Sequence, residues 1–316
     1  VAKIKGAFPW AGGKGAVADA VWTRFGSVNR YIEPFAGKLE VLLANQAIPS
    51  FEIVNDINHF VANFYRAVQK DPLQVAAYAD QPVSEVEMYA WEYWLVNREE
   101  FKKKMEEDPF YYDTQIAGRW VWGQSLKIGG GWCDTKKERV DGLLIPAHRA
   151  KPQLTHRSGL LSEDSVANYV LALQERLKNV RVCCGDWSRV VTKATLGDER
   201  KVGIFLDPPY AQEGRDKVYV HESGTAAAEA RTWCLENGDN KRLRIALAGY
   251  RDRCGHEVLE KHGWRRYDWH ANGGYSNQKK GSRTGNNKRE AIWFSPYCNA
   301  ATLFEIEPVE QVSLFA

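Results

Sequence analysis

Histidine and cysteine are scarce in this chain, and neither is spaced to hold a metal. Its seven histidines form no H-E-x-x-H and its six cysteines no C-x-x-C pair, so neither the common zinc sites nor a dithiol redox motif is encoded. Cys183 and Cys184 lie in a strand-like run, which reads as reduced thiols in a cytoplasmic setting. No apolar run approaches membrane-spanning length and no signal peptide opens the chain, so a non-membrane protein is expected. The phosphate-cradling pattern G-x-x-x-x-G-K-[ST] is missing as well. Charge of one sign is also in short supply. The formal net charge is only +3, so contact with a polyanion must come from local patches rather than a global field. Internal repeats and low-complexity tracts are absent.

What is present is more directive. At 316 residues and 35.9 kDa the chain exceeds the usual size of a single core and suggests two domains. The apolar run Val202-Gly203-Ile204-Phe205-Leu206 reads as a buried strand, and Asp207-Pro208-Pro209-Tyr210 follows it. Consecutive prolines cannot extend a sheet, so the strand must stop in a stiff turn. That turn presents the Asp207 carboxylate, the Pro208 carbonyl and the Tyr210 ring at a strand's carboxyl end, where open α/β sheets bind ligands. An exocyclic amine could donate one hydrogen to each acceptor while its heterocycle stacks on Tyr210.

Three further segments carry signals. Phe8-Pro9-Trp10-Ala11-Gly12-Gly13-Lys14-Gly15 leads into an amphipathic stretch from Ala16 to Phe25. Backbone N–H groups at such a glycine-rich start, helped by Lys14, favour an anion, and a carboxylate serves as well as a phosphate. Tyr31-Ile32-Glu33-Pro34-Phe35-Ala36-Gly37 reads as a strand entering a tight glycine turn, with apolar residues 39–43 beyond. Val54-Asn55-Asp56 then ends a second strand with an acid, the position that holds ribose hydroxyls in nucleoside-binding α/β folds.

In this order the segments resemble the D12 class of Dam-like DNA N6-adenine methyltransferases. The resemblance rests on Trp10-Ala11-Gly12-Gly13-Lys14, Glu33-Pro34-Phe35-Ala36-Gly37, Asn55-Asp56, Gly185-Asp186-Trp187 and Asp207-Pro208-Pro209-Tyr210, with Lys288 to Phe294 similar to the family's closing strand. It covers roughly residues 6–66 and 180–296. It implies a Rossmann-like α/β fold with a mostly parallel sheet and an antiparallel end, in a discontinuous catalytic domain (1–66 and 179–299). S-adenosylmethionine is the implied cofactor. Trp10 and Lys14 would then line its methionine end, with Gly12 also at the cofactor. Phe35 and Gly37 would form the turn around it, Asp56 would hold the ribose, and Asp186 and Trp187 would bracket the adenine ring. Asp207, Pro208 and Tyr210 would be catalytic, acting on a flipped adenine in double-stranded DNA, in the cytoplasm of a bacterial or phage-infected cell. For Asp56 and Asp186 a cap, and for Phe35 and Trp187 core packing, are the structural alternatives. Where the family has a Gly-x-Gly turn, this chain has Gly37-Lys38-Leu39-Glu40. Leucine resists positive φ, so either a wider turn or an early helix start is expected. An N4-cytosine or RNA N6-adenine methyltransferase stays open, as does a non-catalytic DNA-binding scaffold. So does the biological role, whether restriction partner, phage self-protection or epigenetic mark.

Residues 67–178 differ in composition, and the resemblance implies that this stretch is a target-recognition insert, expected to be mainly helical. Pro82 to Glu107 reads as helical, whereas the glycines and aromatics of Arg119 to Trp132 read as a mobile loop in a nucleic-acid groove. Arg119, Gln124 and Lys127 are the candidate base readers there. A loop is expected over residues 211–224, followed by a helix, the strand 243–250, a helix near 257–262 and strands near 264–269 and 289–295. Lys279, Lys280 and Arg283, in a basic loop, are candidates for phosphate contact. In the tail (300–316), Gln311, Leu314 and Phe315 resemble the bacterial sliding-clamp-binding peptide.

Overall fold

The computed structural model describes residues 4–45, 47–127, 132–133, 135–146, 152, 158–197, 199–210, 226–269 and 290–299. The expected loop 211–224, the basic segment with Lys279, Lys280 and Arg283, and the tail with Gln311, Leu314 and Phe315 lie outside them.

Short apolar runs become the strands of one seven-stranded sheet. The N-terminal half supplies β1 (Arg30–Glu33) and β2 (Phe51–Asp56), with α1 (Ala18–Phe25) and α2 (Glu40–Ala44) beside them and α3 (His59–Lys70) following β2. Asn58 starts α3 by accepting the N–H groups of Phe60 and Val61. Then come α4 (Pro72–Ala79), α5 (Glu85–Val96), α6 (Glu99–Glu107), α7 (Thr114–Leu126), the hairpin β3 (Thr135–Val140) and β4 (Leu143–Pro146), and α8 (Val166–Leu177). The C-terminal half adds β5 (Val180–Cys184), α9 (Lys193–Leu196), β6 (Val202–Leu206), α10 (Ala226–Asn237), β7 (Leu243–Tyr250), β8 (Arg265–Asp268) and β9 (Glu290–Phe294). The expected helix near 257–262 is a 3-10 helix, His256–His262.

The sheet order is β5-β2-β1-β6-β7-β9-β8. Strands β5, β2, β1, β6 and β7 are parallel, whereas β9 runs antiparallel to both its neighbours. This is the expected Rossmann-like arrangement with an antiparallel end. The order reverses between β1 and β6, and ligands of such sheets sit in the crevice beyond the strand ends at that switch. Side chains alternate between two apolar clusters. Tyr31, Val54, Phe205, Ala246 and Ile292 face one, and Ile32, Ile53, Ile204, Ile245 and Trp293 face the other. No helix among the described residues is long and apolar enough to cross a membrane.

The expected mobile loop beginning at Arg119 is instead largely α7, which Asp113 opens by accepting the Ile116 N–H at 2.8 Å. Its glycines allow close packing rather than motion. A Cβ on Gly118 would lie 2.3 Å from Tyr78 Cβ, and one on Gly123 would lie 2.0 Å from the Trp132 ring. Trp120 and Trp122 are fully buried, and Trp120 meets Phe8 edge-on with ring centroids 4.9 Å apart. Residues of α5, α6 and α7 share the cluster that contains Phe8, Tyr31 and Phe64, so the helical segment packs continuously onto the sheet's helical layer.

Candidate active site

Strand β6 is buried along its whole length, and Asp207 emerges at its carboxyl end beside the switch point. Lys14 reaches it from the glycine-rich loop, Nζ lying 2.9 Å from Asp207 Oδ2. The same ammonium donates to the Gly12 carbonyl at 2.6 Å and lies 3.5 Å from Glu290 Oε2. Tyr210 folds back so that its hydroxyl donates to Asp207 Oδ1 at 3.0 Å. Lys14 Nζ sits 5.3 Å from the centre of that ring, which also meets Tyr250 edge-on at 4.6 Å.

Lys14 is only 4 % exposed. Burial alone disfavours its charge, but Asp207 and Glu290 outweigh that and hold its pKa above the ordinary lysine value. Burial raises the Glu290 carboxyl, Asp207 pushes it the same way and Lys14 opposes both. On β1, burial raises Glu33 to about 8 despite the Tyr31 hydroxyl, which donates to it at 2.9 Å.

The three strand ends beside this corner are sewn together by Asn55. Its amide donates to the Pro34 carbonyl at 3.0 Å and to the Gly185 carbonyl at 2.9 Å. Asp56 Oδ2 accepts the Gly37 N–H at 2.9 Å, and Oδ1 accepts the Asn58 N–H at 2.8 Å. Burial raises Asp56 to about 6, the two N–H groups acting against it. Gly37 has φ +46°, and a Cβ there would meet the Trp10 ring at 3.0 Å, so Trp10 and Gly37 close one wall of the crevice. The Tyr65 hydroxyl braces this turn from α3 by donating to the Gly37 carbonyl at 2.9 Å.

The departure Gly37-Lys38-Leu39-Glu40 resolves in a way neither alternative anticipated. Leu39 is the residue before α2 and takes φ 57°, ψ 30°, so it adopts the left-handed conformation itself. Its side chain is completely buried, and burying a leucine is worth about 1.5–3 kcal/mol, enough to offset a left-handed penalty of about 1–2 kcal/mol. Glu40 accepts the Gly15 N–H at 2.8 Å and pairs with Lys38 at 2.8 Å. The anion expected at the glycine-rich loop is therefore supplied in part by the chain's own Glu40. Lys14, paired with acids, offers no open cationic site there.

Of the residues expected at the adenine end, Asp186 is exposed and uses Oδ1 to accept the Ser188 N–H at 2.9 Å and the Ser188 hydroxyl, capping a 3-10 turn. Trp187 is buried and stacks on half-buried Phe35 with centroids 5.8 Å apart. Its indole N–H has no hydrogen-bond partner among the described residues.

The three base-reading candidates of the insert do not share one exposed surface. Gln124 is 2 % exposed and donates to the Pro9 carbonyl at 2.7 Å, so it braces the glycine-rich loop from a buried position. Arg119 is half-buried, its guanidinium 4.3 Å from the Trp91 ring. Lys127 caps the end of α7 and bridges to Pro152. The sequence reasoning missed Glu290 as a site residue. Its signal was a lone acid heading an apolar strand. Because β9 is antiparallel, its first residue pairs with Tyr250 at the end of β7, on the edge where Asp207 lies. The hairpin β3–β4 was missed too, although Asp141-Gly142, with φ 49° and 78°, is a standard tight-turn pair.

A family described as D12 class N6 adenine-specific DNA methyltransferase matches residues 10–117, which include Trp10, Lys14, Gly37 and Asp56. Among curated proteins, the chain is 23 % identical over 220 residues to the Type II methyltransferase M.MjaIII of Methanocaldococcus jannaschii, covering 66 % of this chain and 70 % of the relative. It is 24 % identical over 220 residues to the DNA N-6-adenine-methyltransferase of Escherichia phage P1, covering 69 % of this chain but 25 % of that longer protein.

Proposed function

We propose that this chain, whose N-terminal region is that of the D12 class of N6 adenine-specific DNA methyltransferases, methylates the N6 amino group of adenine in DNA. One observation carries the reading. The proline-stiffened turn after β6 holds an acceptor carboxylate and an aromatic ring together at the switch point of the sheet.

The residues present fit S-adenosylmethionine. Half-buried Phe35 stacks on Trp187, and each Asp56 oxygen accepts only one backbone N–H and keeps a lone pair for a ribose hydroxyl. When bound, that group supplies a methyl made electrophilic by the sulfonium charge.

The chain's own part is to make a poor nucleophile competent. The lone pair of an adenine amine is delocalised into its ring. Asp207 and the Pro208 carbonyl accept its two hydrogens, which draws the nitrogen towards sp³ geometry and aims the lone pair outward. With the cofactor bound, the freed lone pair would take its methyl group, the S–CH3 bonding pair remaining with the departing thioether, and Asp207 would receive the proton that the amine sheds along its hydrogen bond. Positioning and electrostatics provide most of the acceleration. An amine inside a stacked duplex is out of reach, so the adenine is flipped out and stacks on Tyr210.

The test is expression in a host devoid of DNA methylation, followed by single-molecule sequencing of modified bases on a plasmid. N6-methyladenine at a defined site supports the reading. N4-methylcytosine, or methyl transfer to RNA oligonucleotides alone, replaces the substrate assigned here. Unmodified nucleic acid together with calorimetry showing no S-adenosylmethionine binding leaves the non-catalytic scaffold.

A further inference from the structure

Both oxygens of Asp207 are already in use before any substrate arrives. Its two oxygens accept from Tyr210 at 3.0 Å and from Lys14 at 2.9 Å. The target amine must therefore compete with two resident donors for this carboxylate, and its hydrogen bond is strongest if one of them moves aside. Tyr210 can turn towards the base that stacks on it. Lys14 has no comparable exit, because it is 4 % exposed and a buried ammonium deprived of its counter-ion is strongly disfavoured. A second acid within reach removes that obstacle, and Glu290 is placed to be that acid, with Oε2 3.5 Å from Lys14 Nζ.

We propose that Glu290 is a positioning residue of the methyl-transfer site, taking up Lys14 when the target amine occupies Asp207, so that the acceptor carboxylate is released without stranding a buried cation. The inference rests on the proposed methyl transfer. Two further features favour it. The Gly12 carbonyl, 2.6 Å from Lys14 Nζ, keeps the ammonium anchored while its acidic partner changes. One cation against two carboxylates leaves the corner with a net negative charge, suited to a cationic methyl donor. Glu290 itself is held by the backbone, since its carbonyl accepts the Trp269 N–H at 3.2 Å and it lies in register with Tyr250.

Losing the charge of Glu290 leaves Lys14 bound to Asp207 alone, and the amine must then compete for that carboxylate. The groups facing Glu290 are Lys14 from the glycine-rich loop, Asp207 and Tyr210 from the turn after β6, and Tyr250 from β7. Asp268 on β8 pairs with the next residue, Ala291, and the charge of Asp207 also raises Glu33 on β1. Burial raises the Glu290 carboxyl, so acidification neutralises it before it would an ordinary glutamate, and the rate falls on the acid side.

The experiment is single-turnover methylation of a duplex bearing the site found by sequencing, at saturating S-adenosylmethionine, for the parent, Glu290→Gln and Glu290→Asp between about pH 5 and pH 9. At saturating cofactor, Glu290→Gln is expected to be about tenfold slower near neutrality, with the acid limb flattened. Glu290→Asp should recover part of the rate. A second readout is the titration of the Lys14 ammonium by heteronuclear NMR, where Glu290→Gln should lower its midpoint. A parental rate and pH profile in Glu290→Gln, or an unmoved Lys14 midpoint, overturns the proposal. If the parent transfers no methyl group, the reaction itself is misassigned, and the Lys14 titration still decides whether Glu290 holds that lysine.

Discussion

Asp56 and Gly37 are joined by a 2.9 Å hydrogen bond from the glycine N–H to the carboxylate, which couples the acid at the end of β2 to the turn after β1. A ribose held by Asp56 would therefore sit against a turn that Asp56 itself shapes. Burial raises this carboxyl to about 6, so it is ionised at neutral pH and protonates in mild acid. Only the ionised form accepts hydroxyl hydrogens with both oxygens. S-adenosylmethionine affinity should thus be level above pH 7 and fall as pH drops through 6, losing about tenfold per unit below it. Calorimetric titration across that range checks this, and Asp56→Ala should bind weakly at every pH.

Replacing Asp207 with Asn keeps the shape of the corner and removes the charge. Lys14 can still pair with Glu290, so folding should be preserved. Methylation should fall about a hundredfold or more, whereas cofactor affinity should change little. Rates on a methylatable duplex, set beside thermal unfolding of the same preparations, separate these effects.

Leu39 offers a test of backbone strain. Leu39→Ala removes buried volume at a cost of about 2–5 kcal/mol while leaving a non-glycine residue at φ 57°. Leu39→Gly removes one carbon more but relieves that conformation. Glycine normally costs about 1 kcal/mol more than alanine within regular structure. Here denaturant unfolding should find Leu39→Gly no less stable than Leu39→Ala.

Gln124→Ala should cost about 1–2 kcal/mol, because the Pro9 carbonyl loses its 2.7 Å donor. DNA affinity per mole of folded protein should stay at the parental value. A large loss of DNA binding at unchanged stability would return Gln124 to the role of base reader.

Much of this architecture was legible from local signals. The apolar runs behind β6, β7 and β9 emerged as strands, because continuous burial demands continuous hydrophobicity and the prolines after Leu206 allow no extension. The acid expected at the end of the second strand, Asp56, stands there at the end of β2, while its bond to the Gly37 N–H was not anticipated. Helix α7 was hidden because glycine reads as flexibility in one dimension. Only the approach of Tyr78 and Trp132 shows that Gly118 and Gly123 are there for lack of a side chain. Glu40 and Glu290 were hidden for another reason. Each acts on a partner distant in the chain, Gly15 and Lys14, and no local window contains that relationship.

The antiparallel course of β9 has a consequence for how the protein comes into being. Lys14 precedes Glu290 by 276 residues in the chain, and their meeting requires β9 to slot between β7 and β8. Such long-range closure is the slow part of folding. A nascent chain that has already made its Asp-Pro-Pro-Tyr turn still lacks the second acid, so the corner is completed only after that strand has docked.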